Sequence, residues 1–337
     1  MSPRLRLVVL AVLAAVLLVG TGTFIAVSRA QQVQQSQSQP TEPSTDLAAV
    51  SGQPRIVFRN TALGTQYGAV AMVPLSDVPG PRAYAAMSCD RVFAAGGNTL
   101  CLASDRGVVT TYSATVIDDR TGATTPIPLT GSPSRARLSD DGKLAATTSF
   151  VAGDSYAATN FSTRTVITRL SDRSSSDLED YALVDHGQRI TPVDRNYWGV
   201  TFAADDDHFF VTVAFGGATH LAKGQVSTRT VETIRTDAEC PSLSPDGTRV
   251  AYKKRGDRAR GDWRLAVLDL ATGQETQLSE TRSVDDQVEW LDGSRILYGM
   301  PGEGTAAAES NVWAVNADGS GSPSMLIAKA WSPAVVR

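Results

Sequence analysis

Histidine is almost missing from this chain: 337 residues carry three, His186, His208 and His220. None stands at metal-ligand spacing from another, so a histidine-built metal centre is not expected. A Gly-x-Ser-x-Gly elbow is absent too. Gly153-Asp154-Ser155-Tyr156-Ala157 lacks the last glycine, which takes away the turn that presents a hydrolase serine. There is no Gly-x-x-x-x-Gly-Lys loop to cradle a phosphate. The aspartates of Asp205-Asp206-Asp207 are consecutive and diverge, and no glutamate stands twelve positions on, so a solvated turn is expected there rather than a calcium loop. Lys and Arg number 31 against 35 Asp and Glu, net charge −4, with no basic stripe for nucleic acid. Lys253-Lys254-Arg255 with Arg258 and Arg260 is offset by Asp257 and Asp262 and reads as a solvated loop. No cofactor, metal or nucleic-acid partner is expected.

What the chain does have is a repeat. From Cys240 to Leu278 an apolar run ends in Ser244-Pro245-Asp246-Gly247, where Pro presets φ, Asp can bond nearby backbone and Gly accepts positive φ. Arg249-Val250-Ala251-Tyr252 comes next as a strand, Trp263 to Leu268 alternates as a third run, and Thr272-Gly273 marks the tip of a second turn before Thr276 to Leu278. Four antiparallel strands in about 40 residues make one blade of a β-propeller. The first hairpin recurs at Trp290 to Tyr298, Phe202 to Val211, Leu138 to Ala145 and Val92 to Leu102. The later turn recurs at Asp119-Arg120-Thr121-Gly122, Ser162-Thr163-Arg164-Thr165, Ser227-Thr228-Arg229-Thr230 and Asn316-Ala317-Asp318-Gly319. Ile56 to Phe58 and Gly68 to Val73 are two further strands, and Ala330 to Val336 can supply a missing one from the other chain end. The expectation is an all-β propeller of six four-stranded blades, with a seventh open if the longest interval holds a full blade.

The Ser-Pro-Asp-Gly-x-Arg-Val-Ala-Tyr hairpin at residues 244–252, the Val267-Leu268-Asp269-Leu270 strand with its Thr-Gly turn, and Trp313-Ala314-Val315-Asn316-Ala317-Asp318-Gly319 resemble the repeats of TolB-like proteins. From about Ile56 to Ala334 the chain resembles the membrane-tethered TolB-like translocation group. The resemblance implies a propeller and an envelope role, and is specific for fold rather than activity. TolB proper carries an N-terminal α/β domain, for which residues 30 to 55 are too short, so its lipoprotein partner is not carried over. Related propellers precede the hydrolase domain of prolyl-oligopeptidase relatives, and no such domain is expected here.

Residues 1–30 read as a targeting segment. Arg4 and Arg6 precede an uncharged run from Leu7 to Val27, about 21 residues, and about 20 span a bilayer core. An N-terminal transmembrane signal anchor is expected, with a signal peptide cleaved after Ser28-Arg29-Ala30 as the alternative. Residues 31–54, rich in Gln, Ser, Thr and Pro, read as a flexible linker, and 55–337 as the propeller. Leu138 to Phe202 spans about 64 residues against about 41 to 47 elsewhere. The excess, near 174–197, reads as an inserted hairpin after a loop-like Ser174 to Asp177. Such an insert is either padding, removable with little loss of folding, or a contact surface. Its candidate partner contacts are Asp177, Glu179, Asp180, His186, Arg195, Tyr197 and Trp198. Trp198, Trp263, Trp290 and Trp313 otherwise pack between blades.

Three cysteines in an exported protein leave one over. If Phe93 faces Gly97 across the Ala94 to Gly97 turn, opposed residue numbers sum to 190, and Cys89 faces Cys101. A Cys89–Cys101 disulfide with Cys240 free is the expectation, against three reduced, buried thiols. The functional reading is a non-enzymatic, extracytoplasmic scaffold for an envelope protein or peptide. The alternatives are a lactonase- or hydrolase-type propeller, with acids from several blades converging on the channel, and a sensor of glycan or small ligand.

Overall fold

Each repeat folds as one blade because its turns close on their own side chains. In the 244–248 turn the Ser244 hydroxyl donates to Asp246 at 2.5 Å and accepts the Arg249 N–H at 2.9 Å, while Asp246 also holds the Thr248 N–H at 3.1 Å. Ser139 and Asp141 repeat the device two blades earlier, at 2.9 Å. At the matching turn of another blade Gly96 has φ +56, and a Cβ there would meet the Asp141 backbone at 2.1 Å, so only glycine lets these neighbouring turns close up.

The computed structural model describes residues 2–6, 9–10, 12–14, 16–17, 20–21, 23, 42–153, 155–157 and 161–337. The chain forms two units, Met1–Glu42 with Ala62–Tyr67, and Pro43–Thr61 with Gly68–Arg337. The second is a six-bladed propeller. Blade 1 takes its innermost strand, Ala330–Val336, from the C-terminal end, with Arg55–Asn60, Ala69–Pro74 and Arg82–Ser88 lying outward of it. Blade 2 starts with Arg91–Ala95, blade 3 with Ser132–Leu138, blade 4 with Asn196–Phe202, blade 5 with Glu239–Leu243 and blade 6 with Glu289–Trp290. These innermost strands ring the central channel. One apolar cluster fills each interface between neighbouring blades; Trp290, Tyr298 and Val267, for example, close blades 5 and 6. Among the described residues no helix is long and apolar enough to cross a membrane. The expected span Leu7 to Val27 is only partly described, and the Ser28 to Ala30 cleavage site lies outside the described residues, as does the linker from 31 to 41.

Several expectations need correction. Ser162 to Thr165 is not a turn but the start of the strand Ser162–Arg169, paired with Leu144–Ala152, and the later turn of blade 3 falls at Leu170 to Asp172. The folded part begins before residue 55: Ser44–Thr45 pairs in parallel with Arg82–Ser88, and the helical turn Leu47–Ser51 buries Val50 among Val57, Met72 and Ala83. One apolar side chain and a strip of sheet edge suffice to hold this otherwise polar segment.

Ser175–Asp177 is not a loop but the outer strand of blade 3, paired with Val166 to Thr168. The insert proper comes after it. Ala182–Asp185 and Gln188–Ile190 form the expected hairpin around His186 and Gly187, both at positive φ, and Ala182–Asp185 lies parallel to Thr230–Thr236 at the outer edge of blade 4. Leu178, Tyr181 and Leu183 are buried in the core between blades 3 and 4, so the insert is a structural wedge rather than padding.

The blade 2 hairpin has a different register. A two-residue turn, Gly96-Gly97, pairs Phe93 with Leu100 and sets Cys101 opposite Val92. Cys89 lies outside that ladder, on the link from Arg82–Ser88 to Arg91–Ala95. It is still bonded to Cys101, with Cα atoms 5.4 Å apart, so the disulfide ties blade 1 to blade 2 instead of two strands of one hairpin. Cys240 is free and buried.

Because Leu183 is 1% exposed inside the blade 3–4 core, Leu183→Ala is expected to lower the unfolding free energy by about 2–5 kcal/mol, as buried leucine truncations do. Urea unfolding of the two proteins measures it, and a shift below about 0.5 kcal/mol would return the insert to the status of an ornament.

Candidate functional site

The innermost strands carry a device the sequence hid. Irregular register interrupts the pairing of the innermost strand in blades 1, 3, 4 and 5. In blades 1, 4 and 5 a residue at positive φ marks the spot: Ser332 (φ 55), Gly199 (φ 69) and Cys240 (φ 51). Such bulges re-aim the side chain beside them. The residues just before are Trp331, Trp198 and Glu239. Blades 4 and 5 touch here, since a Cβ on Gly199 would sit 2.8 Å from the Cys240 Cα.

The channel is filled with paired charge. Lys253, fully buried, places Nζ 2.5 Å from Asp285 Oδ1 and 3.8 Å from Glu239 Oε2. The same ammonium lies 3.8 Å over the Trp263 ring. Arg135 reaches Asp285 at 3.5 Å, Arg91 reaches Asp286 at 3.5 Å, and Arg137 pairs with Glu289. Lys253 is therefore no part of a solvated loop: the ring brings Asp285 to it from the connection into blade 6. Burial pulls the Asp285 carboxyl upward, but Lys253 and Arg135 outweigh it and hold it below the usual range. Burial dominates at Glu239, and its carboxyl is raised despite Lys253. Acids from blades 5 and 6 do converge here, as a metal-dependent hydrolase would require, but each is matched by a cation. Among the described residues no cluster of His, Cys, Asp or Glu is built to hold a metal ion.

The connection that delivers these acids is pinned at Glu280. This carboxylate accepts the Arg282 guanidinium at 2.6 Å, the Arg282 N–H at 2.8 Å and the Tyr298 hydroxyl at 2.5 Å. Further along, Asp286 Oδ2 accepts the Gly299 N–H at 2.9 Å, and the Gln287 amide donates to the carbonyls of Val200 and Pro241.

Beside this plug, on the face of the second-to-third strand loops, blades 4 and 5 leave a groove of about 500 Å³. Its floor is aromatic. Tyr156 lies 5.1 Å from Trp198 between ring centroids, Phe161 lies 5.4 Å from Trp198, and Phe150 backs Tyr156 at 4.8 Å. Trp263 closes the far side, its Nε1 donating to Glu239 at 2.8 Å. The Trp198 Nε1, on a side chain 1% exposed, has no hydrogen-bond partner among the described residues. Asp194, Asn196, Asp237 and Arg255 form part of the rim.

The seven contact residues expected from the sequence do not form one surface. Asp177, Glu179, Asp180 and Arg195 gather around the short turn Leu178–Asp180: Asp177 accepts the Glu179 N–H and the Arg164 guanidinium, and Arg195 bonds Glu179 at 3.2 Å. Burial is the leading influence on the Glu179 carboxyl and lifts it. Asp180 is exposed and faces Arg229 at 3.4 Å. His186 tops the insert's turn beside a separate hollow of about 510 Å³ shared with His220 and Thr233. Tyr197 is fully buried in the blade 3–4 core and offers no contact surface. Only Trp198 belongs to the groove. Tyr156, Phe161, Trp263 and Lys253 were the residues missed. Aligning the repeats on the residues before each polar turn would have stacked Arg137 and Glu289 as inner-strand charges, with Glu239 and Asp286 together three positions earlier; nothing comparable marks the loop aromatics.

Neither a protein-family model nor a curated protein matches the sequence. Solved structures do. TolB from Acinetobacter baumannii superposes with TM-score 0.61 at 17% identity, over 84% of this chain and 67% of that one. A chain of a nidogen/laminin complex gives TM-score 0.54 at 12% identity, over 84% and 98%. A puromycin-hydrolysing peptidase from Mycobacterium tuberculosis gives TM-score 0.49 at 14% identity, over 82% and 42%. The fold is that of a TolB-like propeller, and at these identities the likeness is one of fold.

The Glu280 carboxyl titrates near 2 rather than 4.5: burial opposes this, and the bonds from Arg282 and Tyr298 overcome it. A carboxyl depressed in the folded state contributes stability that is complete above its unfolded value and is lost as pH falls through its folded one. Unfolding midpoints should therefore decline between about pH 4.5 and about 2, and more shallowly in Glu280→Gln. Identical acid profiles for the two proteins would show that Glu280 does not hold this connection.

Proposed function

We propose that this chain is a membrane-tethered, extracytoplasmic propeller that holds a protein or peptide partner of the cell envelope in the groove between blades 4 and 5. The observation that carries the reading is the groove itself: about 500 Å³, floored by Tyr156, Phe161 and Trp198, with an unused indole donor. Grooves of this size and lining suit an anchor side chain of a partner, since aromatic walls give contact area at low entropic cost. The neighbouring channel supports a binding role over catalysis, because its acids are neutralised by Arg135, Arg137, Arg91 and Lys253. The Cys89–Cys101 bond fits an oxidising compartment. The nidogen/laminin match is to a propeller-like chain from a complex of two proteins, which accords with a fold used for protein contact.

A photocrosslinking amino acid at Arg255, on the groove rim, is expected to give a specific adduct in membranes of the producing cell. The same probe at Asp246, in a turn between first and second strands on the opposite face, should give none. Equal labelling at both positions, or none at either, would sink the scaffold reading. The tether has its own check: the membrane-bound protein should keep residues 1–30, and a mature N-terminus at Gln31 would replace the anchor by a cleaved signal.

A further inference from the structure

Most polar groups of the groove have partners within the fold. Its carboxylates and the Asn196 carbonyl each hold a donor. Glu239 receives the Trp263 indole at 2.8 Å and faces Lys253 at 3.8 Å. The two Asp237 oxygens receive the N–H groups of Arg255 and Gly256 at 2.9 and 2.8 Å. Asp194 accepts the Gly216 N–H at 2.8 Å, and the Asn196 side-chain carbonyl accepts the Thr163 N–H at 3.0 Å. Two donors are not taken. Among the described residues the Trp198 indole N–H at the floor has no partner, and the Arg255 guanidinium stands exposed at the rim with no carboxylate against it. A buried donor without an acceptor is a standing invitation to a ligand oxygen, because water cannot satisfy it there.

We infer that the groove takes an extended peptide segment in which a large apolar side chain neighbours a carboxylate. This rests on the scaffold reading and gives its partner a chemistry. The apolar side chain lies against the Trp198, Tyr156 and Trp263 rings. A backbone carbonyl accepts the Trp198 N–H, and Phe161, only partly buried and 5.4 Å from that indole, is the ring that moves to admit it. The carboxylate meets Arg255. A basic residue gains no seat over Trp263, where Lys253 already stands at 3.8 Å. The two free donors sit at different depths, floor and rim, so the ligand needs acceptors on two separate groups, which a peptide carries and a small acid does not.

The test uses the full chain in detergent micelles and fluorescence anisotropy with labelled, N-acetylated tetrapeptides. Asp-Phe-Leu-Glu should bind saturably. Lys-Phe-Leu-Lys and Asp-Ser-Gly-Glu should not, and phenylpropionate should compete only weakly. Arg255→Glu, at an exposed position, should weaken the acidic aromatic peptide by about tenfold or more and flatten its salt dependence. Trp198→Phe keeps an aromatic ring and removes the donor, and should weaken binding by about 2- to 10-fold, with a cooperative melting transition showing that the core survives. Equal binding of the lysine peptide, or affinities unmoved by both variants, overturns the inference. So does the absence of binding by every probe, while an Arg255 crosslink would still leave the scaffold reading standing. Phenylpropionate binding as tightly as the peptide would assign the groove to small carboxylates and overturn both.

Discussion

Everything in this molecule hangs on the pairing of Ala330–Val336 with Arg55–Asn60. A blade buries its faces only against neighbours, so an open row of blades would leave two apolar faces in water. Ile56 opposite Val335 and Val57 opposite Ala334 close the row into a ring, with about 275 residues between the two partners of each pair. The loop entropy of that closure is offset by two interfaces at once: blade 1 packs on blade 6 through Phe58, Val312 and Leu297, and on blade 2 through Val57, Val92 and Val70. The Cys89–Cys101 bond lies at the second of these interfaces, so the covalent tie reinforces the place where N-terminal strands meet the rest of the ring.

Closure also makes the charged channel possible. Lys253 stands next to Tyr252 at the end of an ordinary strand, and in an isolated blade it would be solvated. It is buried because the ring carries Asp285 to it and lays the Trp263 face beside it. Removing water from an ammonium is expensive unless a carboxylate and further contacts replace the hydration. The Arg135, Arg137 and Lys253 side chains, drawn from blades 3 and 5, meet that requirement with acids delivered by one connection, residues 279–288, and the strand after it. Such a plug links blades 2, 3, 5 and 6 through shared partners, since Asp285 meets cations of blades 3 and 5 and Asp286 meets Arg91 of blade 2.

The legibility of the sequence divides along the same line. The blades were readable because their turns are local: Ser244, Asp246 and Gly247 make their bonds within six residues, so the motif announces itself wherever it occurs. The composite blade was readable from two orphan runs at opposite chain ends. The blade 2 register was not. Ala94 to Gly97 admits turns centred on different residues, and only the paired ladder picks out Gly96-Gly97. The insert's hairpin showed in its alternation and its His186-Gly187 turn, yet nothing local said that Leu178 and Tyr181 would be wedged between two blades. The groove was least visible of all. Tyr156 and Phe161 stand in a loop, Trp263 at a loop's end, and Trp198 on a separate strand, and their meeting depends on how blades 3, 4 and 5 are set side by side.

The groove lies between blades 4 and 5, and not at every interface, because of the one residue that each bulge presents. In blade 1 the bulge leaves Trp331 under the Arg91 guanidinium at 5.3 Å, so that ring is already covered by a cation. In blade 5 it leaves Glu239, which is occupied by Trp263 and Lys253. In blade 4 it leaves Trp198, whose ring is met by other rings and whose N–H is met by nothing among the described residues. The same backbone irregularity thus produces an aromatic covered by a cation, a paired charge and an indole with an unpaired N–H, according to one side chain in each repeat. Gly199 lets the blade 4 bulge approach the Cys240 backbone, and any larger residue would push the two strands apart beneath the groove. Fold and site are therefore encoded at different positions of the repeat: the polar turn on one face sets the blade, and the first residues of the innermost strand set what the other face can hold.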